Sequence, residues 1–272
     1  MKLSVIVCTC NGEKYIERQL ISIINQSLPL DEIKIYDDKS EDNTYSILES
    51  FVKKYPNLIT IFQNEKRLGT KKNFEAAIKS CDSDFYFLSD QDDLWENLKV
   101  EMCIKAFNKK PDMMMLFTNG LLIDSNDNLL NGKLWDKWGF NTKMKTKWEN
   151  NFFAFNDLIN NNNKVTGATI VFRDKLKKEI FPFILPIDYW HDAWLALHAS
   201  GNNALFFLDL CLIKYRVHPE QQIGITLTDR TKSDENYHVS KKLFTTKIKR
   251  KYKFHYFFFK LATIINKILH IV

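Results

Sequence analysis

The sequence predicts an α/β fold: a Rossmann-like, mainly parallel sheet with flanking helices and a C-terminal amphipathic helical tail. Over the first 120 residues, apolar runs of strand type alternate with segments whose apolar residues recur at helical spacing. This alternation is typical of right-handed crossovers between parallel strands. Apolar residues again recur every three or four positions from Phe254 onward, which predicts a last helix. The 272 residues, of which 45% are hydrophobic, are enough to bury a large core.

The predicted elements follow a regular order in the first half of the chain. The first helix has an apolar stripe that includes Tyr15, Ile16 and Leu20. The second helix stops before Pro56, because the residue before a proline disfavours the helical conformation. The predicted strands cover residues 3–8, 32–36, 58–62, 85–88 and 113–117, and the predicted helices cover residues 14–26, 44–55, 70–80 and 95–108.

The second half is less regular. We expect a strand at 166–173, a helix at 192–200 and extended strands within 205–217. Three tryptophans with Lys and Asn nearby predict long loops over a binding face. They are Trp135, Trp138 and Trp148.

Composition limits the class of protein. The five cysteines are odd in number and lack paired metal-site spacing, so we expect reduced thiols. No Gly-x-Gly-x-x-Gly follows the first strand, so a dinucleotide-dependent redox enzyme has no support. The N-terminus lacks a signal-peptide cleavage pattern, and we therefore expect a cytoplasmic protein.

The net charge of +6 comes from the tail. Nine of the 39 Lys and Arg residues, and none of the 33 Asp and Glu residues, lie from Lys241 onward. The slightly acidic remainder argues against a body that binds nucleic acid. In the tail, Lys260 and Lys267 interrupt the apolar run, which favours a helix that lies on an anionic membrane surface over one that spans the membrane. The alternative is a helix that packs on the body or joins two copies of the chain.

Polar and acidic residues stand at the ends of three predicted strands. Thr9 and Asn11 follow the first strand, and Asp37 and Asp38 follow the second. The segment 89–93, Ser-Asp-Gln-Asp-Asp, follows the fourth, whose apolar run is typical of a strand buried on both faces. The carboxyl ends of parallel strands meet at one edge of the sheet, where such folds bind nucleotides.

The segment after the fourth strand also predicts a metal site. Asp90 and Asp92 can place two carboxylate oxygens near a hard divalent ion such as Mg²⁺ or Mn²⁺. The alternative is a solvated acidic turn that caps the following helix.

Several motifs together resemble a known family. In chain order they are Ser4-Val5-Ile6-Val7-Cys8-Thr9-Cys10-Asn11, Asp37-Asp38-Lys39-Ser40-Glu41-Asp42, Asn64-Glu65-Lys66-Arg67-Leu68-Gly69-Thr70-Lys71-Lys72-Asn73-Phe74, Ser89-Asp90-Gln91-Asp92-Asp93-Leu94-Trp95, Thr166-Gly167, Trp190-His191-Asp192-Ala193-Trp194 and Tyr215-Arg216-Val217-His218. This set resembles family 2 inverting glycosyltransferases of the GT-A fold, over roughly residues 1–225. The fourth and sixth motifs look most like those of bacterial rhamnosyltransferase-type enzymes that build surface polysaccharides.

The resemblance implies a role for each matching residue. Its implied donor-binding residues are Thr9, Asn11, Asp37, Asp38, Arg67 and Asp90. Among them, Thr9 and Asp38 would contact the base of the nucleotide, and Asp90 would contact the ribose. Its implied metal-site residues are Asp92 and His218, with Mn²⁺ or Mg²⁺ as the ion, and its implied catalytic base is Asp192. Cys8-Thr9-Cys10-Asn11 departs from the Pro-Thr-Tyr-Asn or Pro-Val-Tyr-Asn that the family commonly has, which bears on packing around the base.

The residue types suit this chemistry. Displacement of a nucleoside diphosphate develops negative charge that a divalent ion stabilises, and the attacking hydroxyl must lose a proton to a base such as Asp192. Alternatives remain open for each residue. Asp192 can simply cap its helix, His218 can be a polar residue at a strand end, and Arg67 can be an ordinary surface charge.

The sequence therefore predicts a metal-dependent inverting glycosyltransferase. Its expected partners are a nucleoside diphosphate sugar, first of all dTDP-rhamnose, a glycan or lipid-linked acceptor, and an anionic membrane on the inner face of the cell. UDP-hexose or UDP-galactofuranose donors are the alternatives, with a non-catalytic carbohydrate-binding protein as a rival outside enzymology. The expected domain organisation is a glycosyltransferase domain over 1–225, with a nucleotide-binding half at 1–120 and an acceptor-binding half at 121–225, and a basic amphipathic tail over 226–272.

Overall fold

The strands predicted in the first half of the chain lie side by side in one sheet. The computed structural model describes residues 1–219, 221, 239–253, 257 and 261. Its strands are β1 Leu3–Thr9, β2 Glu32–Asp37, β3 Ile59–Gln63, β4 Phe85–Ser89, β5 Leu94–Trp95, β6 Met115–Ile123, β7 Leu129–Lys133, β8 Ile170–Arg173 and β9 Leu205–Arg216. Over these residues the sheet order is β3-β2-β1-β4-β8-β6-β9-β5, and β7 pairs with β6.

Helices flank this sheet. They are α1 Ile16–Ile24, α2 Thr44–Lys54, α3 Thr70–Ser80, α4 Lys99–Lys109, α5 Leu134–Lys137, α6 Thr142–Trp148, α7 Asn151–Ile159, α8 Asp174–Ile180, α9 His191–Gly201 and α10 Lys241–Lys251. A short 3₁₀ helix covers Gly167–Thr169. The predicted α/β fold class is confirmed by this arrangement.

The order of the parallel strands creates the crevice in which the site lies. β1 pairs in parallel with β2 on one side and with β4 on the other, and β3 extends the sheet beyond β2. The chain therefore moves outward from β1 to β3 and then returns to the other side of β1. Such a switch point, at the carboxyl ends of the strands, is where open α/β sheets bind ligands. Beyond β4, β8 is antiparallel to both of its neighbours.

The core lies on both faces of the sheet. Every residue of β1 and β4 is buried. Alternate side chains of a strand point to opposite faces, so Ile6 joins one apolar cluster with α3 and α9, whereas Val5 and Val7 join the other with α1 and α4. This double burial holds the ends of β1 and β4 rigidly at the crevice.

Three predictions from the sequence were wrong between residues 94 and 173. The helix expected from Trp95 begins at Lys99, because Leu94 and Trp95 pair with β9 as a short antiparallel strand. The strand expected at 166–173 is confined to Ile170–Arg173.

The third error concerns the tryptophans. Trp135 and Trp148 are each 2% exposed, and both pack in an aromatic cluster with Phe117 and Phe140. Helices α5 and α6, rather than long loops, carry these two rings inward.

The start of the tail packs on the body. In α10, Phe244 and Ile248 are buried, and Tyr252 after it is also buried. The Tyr252 hydroxyl lies 2.7 Å from Nδ1 of His198 on α9. Residues 226–238 and most of the helix predicted from Phe254 lie outside the described residues. In the described part of the chain, no helix has the length and apolar character needed to cross a membrane.

Candidate functional site

The turn after β4 brings acidic side chains into the crevice. Burial, together with the nearby negative charges of Asp92 and Asp192, raises the pKa of Asp90 to about 7 against the opposing effect of Lys99. Asp192 lies 102 positions after Asp90 in the chain, in the first turn of α9. Asp90, Asp92 and Asp192 therefore lie in one electrostatic environment, as expected if they serve a single site.

Asp92 and His218 form the candidate metal pair. His218 Nε2 lies 2.9 Å from Asp92 Oδ2, although the two residues are 126 positions apart. The His218 ring packs at 4.9 Å from the ring of Tyr15, and its Nδ1 has no hydrogen-bond partner among the described residues. One carboxylate and one imidazole on adjoining segments suit a divalent ion such as Mn²⁺.

These residues fit an ion that the substrate helps to bind. Among the described residues, no group of three or more His, Cys, Asp or Glu side chains is placed to hold a metal ion by itself. Mg²⁺ and Mn²⁺ sites commonly take one or two protein carboxylates and complete their coordination with water and substrate phosphates. The Asp92 and His218 pair is consistent with that type of site.

Asp93 contributes a buried carboxyl that the sequence did not single out. It is 1% exposed, and its Oδ1 accepts a hydrogen bond of 2.9 Å from the backbone N–H of Arg216. Burial, together with the charges of Asp92 and Asp90, holds the Asp93 pKa well above its usual range. Asp93 therefore links the turn to the end of β9.

Gln91 connects this turn to the end of β1. Its Oε1 accepts hydrogen bonds of 2.7 Å from Thr9 Oγ1 and from the backbone N–H of Cys10. Gly12 leaves room for this contact, because a Cβ there would lie 2.7 Å from the same oxygen. The predicted donor residue Thr9 thus lies in the crevice, with its hydroxyl bonded to Gln91.

Asp38 organises the loop beside the crevice. Its Oδ1 accepts hydrogen bonds from Asn64 Nδ2 at 2.8 Å and from the Leu68 N–H at 2.7 Å, and its Oδ2 accepts one from the Gly69 N–H at 2.8 Å. The carboxylate therefore fixes the segment that carries Arg67. The Arg67 guanidinium extends outward and lies 3.3 Å from Glu41 Oε2.

Asp37 and Asn11 fix the turn after β2 to the ends of β3 and β1. Asp37 is fully buried and accepts hydrogen bonds from Ser40 and from Gln63 Nε2. Asn11 has a left-handed φ of 53°, donates its backbone N–H to Ser40 Oγ at 2.8 Å, and accepts from the Glu41 N–H at 2.9 Å. Both residues shape the predicted donor site.

Asp192 lies at the first turn of α9, with a buried histidine before it. Asp192 Oδ1 accepts a hydrogen bond of 2.6 Å from the Ala193 N–H. The His191 ring stacks on Phe74 at 3.9 Å, and neither ring nitrogen has a hydrogen-bond partner within the described structure. Burial and the nearby Lys71 charge lower the His191 pKa to about 3.

His191 predicts a specific acid sensitivity. Its pKa is depressed in the folded state, so its contribution to stability is present above about pH 6.5 and is lost as the pH falls towards about 3. Between about pH 7 and pH 5, the wild type should lose roughly 2 kcal/mol more unfolding free energy than His191→Phe. Urea unfolding of both proteins at both pH values measures this difference. Equal losses would show that His191 is not held neutral by the fold.

Two buried cations lie close to the acidic turn and were also missed. Lys99 is fully buried, donates to the Ala168 carbonyl at 2.7 Å and lies 3.9 Å from the Trp95 ring centroid. Burial lowers the Lys99 pKa to about 8. Arg216 is also fully buried and donates its Nε–H to the Asp92 carbonyl at 2.6 Å. A charged residue within an apolar helix face or strand was the sequence signal for both.

The chain is similar in sequence to known glycosyltransferases. The chain is 29% identical to dTDP-rhamnosyl transferase RfbG of Shigella flexneri over 83% of its length and 76% of that protein. It is 26% identical to the Escherichia coli protein WfgD, a UDP-Glc:alpha-D-GlcNAc-diphosphoundecaprenol beta-1,3-glucosyltransferase, over 79% of its length and 77% of that protein.

Solved structures show the same fold at lower identity. S. aureus TarS 1-349 in complex with UDP superposes with a TM-score of 0.57 and 22% identity, over 81% of this chain and 62% of that one. The mannosyltransferase PcManGT of Pyrobaculum calidifontis, in complex with GDP-Man and Mn²⁺, gives a TM-score of 0.54 and 18% identity, over 80% of this chain and 58% of that one. The predicted GT-A fold is confirmed.

A family model assigns the chain directly. The model described as Glycosyl transferase family 2 matches residues 4–176, which include β1 from Ser4 onward, the Asp37-Asp38 turn and the Asp90–Asp93 turn. The rival prediction of a non-catalytic carbohydrate-binding protein is therefore replaced by a transferase. The chain is a glycosyltransferase and belongs to glycosyl transferase family 2.

Proposed function

We propose that the chain is a metal-dependent inverting glycosyltransferase that moves a sugar from a nucleoside diphosphate to a hydroxyl of a bacterial surface glycan. The observation that carries this proposal is the convergence of Asp92 and Asp192 beside Asp90, with His218 2.9 Å from Asp92. This convergence supports a metal pair and a general base at one crevice.

The proposed donor site is formed by the ends of β1, β2 and β4. Thr9 and Asp38 would contact the nucleotide base, with Arg67 nearby, and Asp90 would meet the ribose. Asn11 and Asp37 would hold the loops that follow the strands. Residues 1–120 would bind the donor, and residues 121–225 would bind the acceptor.

The metal would be held by Asp92 and His218. When bound, it would stabilise the negative charge that develops on the leaving diphosphate. Asp92 and His218 would orient the diphosphate end of the donor, and buried Lys99 and Arg216 would offset the negative charge of the turn.

Asp192 would act as the general base. As the acceptor oxygen attacks the anomeric carbon from the face opposite the diphosphate, the Asp192 carboxylate accepts the hydroxyl proton. The bond between the anomeric carbon and the phosphate oxygen breaks, and the nucleoside diphosphate leaves with the electron pair. One displacement of this kind inverts the anomeric configuration.

We propose dTDP-rhamnose as the first donor to test, supported by the similarity to RfbG. UDP-hexoses are the second class, supported by the similarity to WfgD. UDP-galactofuranose is a third candidate donor, which a transferase of the same fold would use.

Product stereochemistry tests the reaction. We expect NMR of the product formed with the preferred donor to show the anomeric configuration opposite to that of the donor, with release of one nucleoside diphosphate per sugar transferred. Retention of configuration would contradict the role of Asp192 as a base in a single displacement.

We also propose that α10 brings the enzyme to the inner face of the cell membrane. Lys242, Lys247 and Arg250 are exposed on this helix, while Phe244 and Ile248 are buried against the body. The docked helix thus presents positive charge outward, and juxtaposed basic residues bind anionic lipid headgroups at about 1 kcal/mol each.

Neutral substitutions test this membrane contact. We expect Lys242→Gln, Lys247→Gln and Arg250→Gln together to lower binding to phosphatidylserine-containing liposomes in a flotation assay. Three exposed lysines on other helices, changed as Lys53→Gln, Lys54→Gln and Lys109→Gln, form the matched control. Equal binding by both triple variants would contradict the role of α10. Deletion of 241–272 is a poorer test, because it would uncover the apolar surface beneath α10.

A further inference from the structure

Arg216 contacts both segments of the candidate metal site. It is the last residue of β9, two positions before His218, and it has no solvent exposure. Its side-chain Nε–H donates to the Asp92 carbonyl at 2.6 Å, and its backbone N–H donates to Asp93 Oδ1 at 2.9 Å. Arg216 therefore holds the turn that carries Asp92 at a fixed distance from the segment that carries His218.

The far side of the guanidinium contacts the turn after β6. Arg216 Nη1 donates to the Asp124 carbonyl at 2.9 Å and lies 2.5 Å from Asp127 Oδ1. The guanidinium carbon also lies 4.5 Å from the ring centroid of Tyr15, the ring that packs against His218. One side chain thus joins the turn after β4, the turn after β6 and the start of α1.

Asp127 is the acidic partner of this buried cation. It has a left-handed φ of 69° in the turn between β6 and β7, and its side chain is 30% exposed. Its Oδ2 also pairs with Arg18 of α1. A buried guanidinium requires a negative partner close by, and Asp127 supplies it as an ion pair, whereas Arg216 Nη2 has no hydrogen-bond partner among the described residues.

We propose that Arg216 is a positioning residue for the Asp92 and His218 pair, and that Asp127, outside the crevice, holds Arg216 in its working orientation. The inference rests on the proposed metal-dependent function. It assigns to the β6–β7 turn a direct influence on how tightly the site binds a divalent ion.

The test measures metal binding rather than activity. Mn²⁺ is titrated into the full-length protein and followed by electron paramagnetic resonance, in the presence of dTDP and separately of UDP. Removal of a residue that orients a metal ligand typically weakens metal binding by about 10–100-fold. We expect Asp127→Asn to weaken nucleotide-dependent Mn²⁺ binding by about tenfold at the low end of that range.

A matched control separates this effect from simple loss of a surface ion pair. Asp209 lies 2.6 Å from Lys145 Nζ, and its side chain is 50% exposed. We expect Asp209→Asn to bind Mn²⁺ as the wild type does. Wild-type Mn²⁺ affinity in Asp127→Asn would overturn the inference, as would an equal loss in Asp209→Asn.

Two further measurements separate a folding defect, or a protein that binds no metal, from a failure of the inference. Should Asp127→Asn fail to fold, Arg18→Gln, which removes the exposed partner of Asp127, should show a smaller loss of Mn²⁺ affinity in the same direction, and wild-type affinity there would overturn the inference. Absence of nucleotide-dependent Mn²⁺ binding in the wild type itself would instead refute the proposed metal-dependent function, and the inference with it.

Discussion

Asp192→Asn should lower the rate of sugar transfer by about 10²–10⁴-fold, the range expected when a general base is lost. The amide keeps the size of the carboxylate, and its oxygen can still accept the hydrogen bond from the Ala193 N–H. It cannot take the proton of the acceptor hydroxyl. Donor and metal binding should therefore persist while transfer is lost, as measured by initial rates and by donor titration.

Asp174→Asn is the matched control for this substitution. Asp174 also begins a helix, α8, and pairs there with Lys178 at 2.9 Å. We expect this variant to keep the wild-type transfer rate. A wild-type rate in Asp192→Asn would remove Asp192 from the reaction and leave it as a residue that caps α9.

Asp92→Ala should abolish the dependence of donor binding on Mn²⁺. The substitution removes the carboxylate that lies 2.9 Å from His218 Nε2, so one of the two candidate protein ligands is lost. A donor at about 100 times its dissociation constant stabilises a protein by about 2.7 kcal/mol, and we expect the metal-dependent share of that gain to disappear. Transfer should fall with it.

Calorimetric titration of the donor, with Mn²⁺ and with a chelator, measures this effect. Asp82→Ala, at an exposed aspartate before β4, is the control and should retain the wild-type response. If Asp92→Ala still binds donor more tightly with Mn²⁺ than without it, the metal must be held elsewhere.

The first half of the fold could be predicted from local patterns. Helix α3 has the predicted bounds, Thr70–Ser80. Gly69, with a φ of 79°, cannot continue a helix and precedes its first residue, and the apolar residues of α3 are regularly spaced. Strand β4 is a single apolar run that is buried throughout. In such segments the local pattern and the tertiary environment favour the same structure.

The errors arose where distant contacts decide the structure. Leu94 and Trp95 pair with Lys214 and Ile213, and no pattern within residues 90–100 reports that pairing. Trp135 and Trp148 stand among polar residues in the sequence, yet the fold turns both rings into one aromatic cluster. Long-range packing overrides local signals at such positions.

The sequence singled out the acidic residues of the candidate site, whose roles stay predictions, but not the residues that form hydrogen bonds with them. Motif order placed Asp92, Asp192 and His218, and the structure brings these three segments to one crevice. Gln91 and Arg216 act through hydrogen bonds to other segments, which spacing along the chain does not reveal. An arginine at the end of a largely apolar strand predicts dedicated partners, because a charge that becomes buried there requires them.

Metal-dependent binding of a nucleoside diphosphate sugar is tested most directly by thermal stabilisation of the wild-type protein with a panel of donors, with and without Mn²⁺. The panel contains dTDP-rhamnose, UDP-glucose, UDP-galactose, UDP-galactofuranose and UDP-N-acetylglucosamine. Ligands that bind only the native state raise its stability, so the shifts rank the donors. We expect a Mn²⁺-dependent shift with one donor, dTDP-rhamnose first. No shift with any nucleotide sugar, with or without the metal, would contradict it.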